Sequence, residues 1–123
     1  GGYRFVYTVP ILDINEAGQN VNTETLRTLT TPLGVEVVSV LTFFCGVSGS
    51  GSAGVKCYSA NSITTTLNSR DTQLYVSGNV TAQGSYVEAI TNLSSQVKTN
   101  AGDLVATPTL IVWINTQGWI EYL

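Results

Sequence analysis

Val35-Glu36-Val37-Val38-Ser39-Val40-Leu41-Thr42-Phe43-Phe44-Cys45-Gly46-Val47 is the most apolar stretch of this chain. With the side-chain period of two that a strand imposes, Val35, Val37, Leu41, Phe43 and Cys45 fall on one face. Val38, Val40 and Phe44 fall on the other. Both faces call for burial, so the stretch predicts a central strand with cover on each side. Pro32 and Gly34 break the chain before it, and the Gly/Ser run from Ser48 to Gly54 breaks it after.

The neighbouring segments read in the same way. Tyr3 to Ile11 alternates Tyr3, Phe5, Tyr7 and Val9 with Arg4, Val6 and Thr8, and Pro10 places this strand at an edge or an exit. Asp13 to Asn22 reads as a loop, and Thr23 to Thr31 fits either a short helix or a strand. Val55 to Leu67 is a Thr-rich strand, and Gln73 to Ala82 is a half-exposed one. Ser85 and Glu88 have capping-box spacing, and Val87, Ile90, Leu93 and Val97 follow at three or four residues, so one helix is expected over Tyr86 to Lys98. Thr109 to Leu123 reads as a hairpin closed near Asn115 to Gly118.

The expectation is a mainly β fold, an antiparallel β sandwich or jelly roll with one short helix near 86–98. The 123 residues fit a single domain spanning 1–123, a size at which roughly two-thirds of the unfolded surface is buried. Gly1 and Gly2 read as a linker or tag remnant. With no Met in the chain, the sequence reads as a piece excised from a longer protein.

Composition excludes several function classes. Charged residues are 11% of the chain, under half the usual share of about 25%. The five Lys and Arg stand far apart and the net charge is −3, so no nucleic-acid partner is expected. No apolar run reaches the roughly eighteen residues of a membrane span. The chain holds no His, which removes the commonest general base and metal ligand, and the carboxylates are dispersed. No enzyme activity, catalytic metal or cofactor is expected. Gly49-Ser50-Gly51-Ser52-Ala53-Gly54 matches a dinucleotide-binding glycine pattern, but that site needs a helix to open at the glycines, and Val55 onward reads as strand.

Two further groups stand out. A hairpin centred on Gly51 would set Cys45 opposite Cys57, with Cα atoms roughly 4.5 to 5.5 Å apart, within disulfide reach. The other reading is a pair of reduced, buried thiols. Tyr75, Trp119 and Tyr122, with Trp113, could present aromatic faces to a sugar; otherwise they belong to the core or to a subunit contact.

Gly1-Gly2, the low-charge polar strands Ser62 to Leu67 and Gln73 to Ala82, and the aromatic terminal strand Gly118-Trp119-Ile120-Glu121-Tyr122-Leu123 together resemble the distal knobs of short-tailed phage tail needles and related viral spikes. The resemblance implies a trimeric jelly-roll or TNF-like domain on a stalk, carried on the virion or otherwise extracellular. It implies attachment to a bacterial cell-surface component, or penetration of the envelope. The helix expected at Tyr86 to Lys98 departs from a plain jelly roll. An extracellular adhesin or pilin-type subunit is the alternative, and a small carbohydrate-active enzyme the third. Within the knob reading, a homotrimer contact is expected on the apolar strand faces at Val38, Val40, Phe44, Ile111 and Trp113, since one helix cannot cover them all.

Overall fold

A computed structural model of the chain describes residues 2–19, 24–49, 51–62, 73–77, 83–105 and 109–122. Among these residues eight strands follow one another: β1 (Gly2–Gln19), β2 (Thr25–Thr28), β3 (Val38–Ser48), β4 (Ser52–Ser59), β5 (Leu74–Ser77), β6 (Gln83–Ile90), β7 (Gln96–Val105) and β8 (Thr109–Tyr122). They form two four-stranded sheets, a first in the order β1-β8-β3-β6 and a second in the order β2-β7-β4-β5. Every pairing is antiparallel.

That order has a simple origin. The first four strands pair with the last four as an antiparallel ribbon, β1 with β8, β2 with β7, β3 with β6 and β4 with β5. Winding the ribbon on itself then brings β3 beside β8 and β4 beside β7. The result is a jelly roll, the β sandwich in which successive strands pass back and forth between the sheets.

The core lies between the sheets. Leu41, Phe43, Cys45 and Val47 of β3 and Leu110, Val112 and Ile114 of β8 face Ala53, Val55 and Cys57 of β4, with Val97 and Ala101 of β7. The Val35–Val47 stretch supplies the central strand that its pattern predicts, flanked by β8 and β6.

The expected helix over 86–98 does not form, and among the described residues there is none. Val87 and Ala89 point inward while Tyr86, Glu88 and Ile90 are exposed, which is the period of a strand. The chain then reverses tightly. Asn92 Oδ1 accepts from the Ser94 and Gln96 amides, at 2.9 and 3.0 Å, and Ser95 takes φ 61°. Of the apolar stripe, Val87 and Val97 are buried on two different strands while Ile90 and Leu93 are exposed, so the three- and four-residue spacing is not one face. The β-branched Val87, Ile90, Thr91 and Val97 favour the extended form.

Two more segments differ from their sequence reading. Thr109 to Tyr122 is one continuous strand held between β1 and β3. Gln117 is an extra residue there, a bulge where a hairpin turn was expected, since Thr116 pairs with Leu41 and Gly118 with Val40. A Cβ on Gly118 would lie 2.0 Å from the Phe5 carbonyl oxygen, so the crowding at this bulge admits only glycine. Asp13 to Gln19, read as a loop, continues β1 through irregular register. Asp13 there accepts from the Thr30 amide and hydroxyl and from the Thr116 hydroxyl, at 2.7, 2.6 and 2.5 Å, which fastens the segment after β2 to the first sheet.

Candidate functional site

The cysteines answer one question of the sequence. β3 and β4 lie in opposite sheets, so the ladder that would set Cys45 opposite Cys57 does not exist. Cys45 is flanked by Gln83 and Val112, and Cys57 by Thr99. Both are free thiols, buried in the core. Burial pushes each thiol from its ordinary value up to about 12, and the nearby Arg27 guanidinium opposes this only in part.

A thiol whose pKa is raised on folding loses its proton first in the unfolded chain. Stability is therefore expected to hold up to about pH 9 and to fall as pH rises from there toward about 12. Thermal melts across that range check the direction. In the native protein at neutral pH neither thiol should react quickly with an aromatic disulfide reagent, and denaturation should release two per chain.

Arg27 is itself buried, at 4% exposure. Its Nε donates to Thr99 Oγ1 at 2.9 Å and its NH1 pairs with Glu16, while its NH2 has no hydrogen-bond partner among the described residues. Burial lowers its pKa, opposed by Cys57 and Cys45. Arg27 and Glu16 sit on the first-named strands of the two sheet orders and close that side of the sandwich.

The residues expected at a subunit contact come together on the outward face of the first sheet. On β8, Leu110, Val112 and Ile114 are buried inward, so Ile111 and Trp113 face out. They pair across the ladder with Gly46 and Phe44. Val38 lies between Ile90 and Ile120, and Val40 between Glu88 and Gly118. All five residues therefore share one face, but at two places along it, and Val40 is already buried there while the other four are half-buried. The Gln117 side-chain amide donates to Thr42 Oγ1 at 2.9 Å between them.

At the Val38 place, Ile90 is 45% exposed and Val6, opposite Gly118, is 61% exposed. At the other place the sheet is hollowed into an open concavity of about 480 Å³ lined by Leu12, Asn15, Phe44, Trp113 and Asn115. Asn15, Trp113 and Phe44 form one cross-strand row, and Leu12 with Asn115 the next. Trp113 Nε1 donates to Asn15 Oδ1 at 2.7 Å. Gly84 lies beside Phe44 on β6, where a Cβ would come within 2.6 Å of the ring.

Of the three aromatics read as a surface group, Tyr75 and Trp119 lie in different sheets. Tyr75 lies on β5 in the second sheet and shares a 2.8 Å hydrogen bond with Ser52. Trp119 stacks on Phe5 at 4.2 Å between centroids, with Tyr7 edge-on. The side chain of Tyr122 lies outside the described residues. Strand β4 begins inside the glycine run at Ser52 and ends at Ser59, so no helix opens at the glycines; of the Thr-rich strand expected over Val55 to Leu67, residues 63–67 lie outside the described residues.

No protein family, curated protein or solved structure matches this chain.

The sequence missed Asn15, Leu12 and Asn115 as members of the concavity, and Ile90 and Ile120 as neighbours of Val38. Asn15 and Leu12 sit where register irregularities blur the alternation of β1. Ile90 was absorbed into a helical stripe.

Proposed function

We propose that this chain is a non-enzymatic tip or knob domain of a virion fibre, assembled as a homotrimer and acting in attachment to a host cell surface or penetration of its envelope. The jelly-roll strand order supports the resemblance seen in the sequence, since the one departure from it, the helix at 86–98, is absent. The observation that carries the assembly is the aliphatic patch formed by Ile90, Val38, Ile120 and Val6 on the outward face of the first sheet, around Val40, which is already buried at 3% exposure. Such a patch on a low-charge domain is covered by association, and closed three-fold symmetry suits a fibre tip. Phe44, Ile111 and Trp113 lie beyond the Thr42–Gln117 hydrogen bond and are not required for this contact.

The non-enzymatic reading draws support from the carboxylates. Asp13 is engaged by Thr30 and Thr116, Glu16 by Arg27 and Glu88 by Tyr86, each a structural partner.

Light scattering on the purified chain is expected to return three times its 13.1 kDa mass. Val38→Lys should return a folded monomer, because the lysine would be buried unpaired at the contact yet solvated in the free subunit. A monomeric wild-type chain would remove the trimer, and an open polymer would favour the adhesin reading.

A further inference from the structure

The concavity at Trp113 has a lining unlike the aliphatic patch. Two aromatic rings, one leucine and two primary amides surround about 480 Å³, within the roughly 300–1,000 Å³ range of small-molecule sites. None of the lining side chains carries a charge.

Each part has a defined posture. The Nε1–Asn15 hydrogen bond fixes the Trp113 indole and also orients the Asn15 amide. With its oxygen engaged, Asn15 presents its NH₂ as a donor, and Asn115 adds a second amide that donates and accepts. The absent Cβ at Gly84 leaves room for the Phe44 ring against β6. The lining thus joins flat apolar surfaces to uncharged donors and acceptors at their margin.

We propose that this concavity binds a neutral saccharide. A pyranose ring has C–H-rich faces that lie on aromatic rings and a rim of hydroxyls that pair with amides, so it matches both parts of the lining at once. A purely apolar ligand would leave the amides of Asn15 and Asn115 without partners. Phosphorylated, sialylated or uronic sugars would meet no cation there. The inference rests on the attachment reading for its biological sense, and it supplies the chemical class of the receptor. The binding itself is independent of assembly, because the Thr42–Gln117 pair separates this site from the Val38 patch.

Saturation-transfer NMR on the intact chain tests it, with cellotriose, maltotriose, mannotriose and tri-N-acetylchitotriose as neutral probes, sialyllactose as a charged control and the uncharged dye N-phenyl-1-naphthylamine as an apolar one. At least one neutral trisaccharide should bind saturably and in preference to sialyllactose. Trp113→Ala and Asn15→Ala should each weaken that binding at least ten-fold, while circular dichroism and scattering mass stay as in the wild type. Asn15→Ala removes only an exposed side chain and so separates lost binding from lost folding. Val38→Lys should keep the sugar affinity even as a monomer, so failure of the trimer and failure of the site are read separately. Absence of binding by all four neutral probes would overturn the proposal. So would binding unchanged by both variants, or binding of the apolar dye at this site with no sugar bound.

Discussion

Phe43→Ala is expected to lower the free energy of unfolding by about 3–5 kcal/mol. Phe43 is 1% exposed and lies on the inward face of β3, between Ser85 and Ile114 across the ladder. A small void already borders its ring, lined also by Val55, Thr99, Asn100, Ala101 and Val112. Those neighbours belong to strands hydrogen-bonded on both sides, β8 in the first sheet and β4 and β7 in the second, so they cannot close over a deleted ring. Phe44→Ala removes the same ring from the opposite face, where it is half-buried and borders open space. Its cost should be no more than about 1 kcal/mol, since far less area leaves water there on folding. Urea unfolding with an unchanged m-value reads both numbers. Equal costs would mean that the inward and outward faces of β3 are wrongly assigned.

The Phe43/Phe44 contrast is also where the sequence was most legible. A stretch apolar on both faces predicts a central strand, and β3 is central, but the second sheet covers only one of its faces and the other is left with a patch and a concavity. The period of two survived wherever strands ran regularly. It failed at Asp13 and Gln117, where register irregularities put extra residues into a strand and look, in sequence, like loop or turn. The helix misreading over 86–98 has a different cause. The stripe joins Val87 and Val97, which are buried, to Ile90 and Leu93, which are exposed on the outward side of β6 and in the turn at Asn92, so its three- and four-residue spacing does not mark one face. Strand order was not legible at all, because it is decided by which ribbon halves pair over long sequence separations.

The site was legible by residue type and not by place. Trp113 and Phe44 could be assigned outward from alternation alone, and both do face out. Their grouping with Asn15 depends on the pairing of β1 with β8, nearly a hundred positions apart in the chain. The cysteines show the converse error. Proximity in sequence across a Gly/Ser loop suggested a hairpin, whereas in a jelly roll that loop carries the chain from one sheet to the other.

Glu16→Gln is expected to destabilise the fold by about 2–3 kcal/mol, and Arg27→Met by less than about 1 kcal/mol. The asymmetry follows from where each charge sits. Arg27 has a side chain 5% exposed, and that of Glu16 is 50% exposed. Removing the carboxylate strands a guanidinium among apolar residues and two thiols, with one nitrogen already lacking a partner among the described residues. Full burial of both members would place that loss at about 3–5 kcal/mol, and water reaching the Glu16 side reduces it. Removing the guanidinium instead leaves a carboxylate that solvent can hydrate, and a methionine of similar reach fills the space of the arginine stem. Thr99 then loses a donor but keeps a hydroxyl able to rotate to another acceptor. The double variant Glu16→Gln/Arg27→Met should fall close to Arg27→Met alone, because the amide has no buried charge left to abandon. A double-mutant cycle by chemical unfolding measures this coupling. If Arg27→Met proved the costlier single change, the closure of this side of the sandwich would depend on the ion pair itself. If Glu16→Gln were the costlier, as expected here, the carboxylate is present chiefly to neutralise an arginine that packing has placed between the sheets.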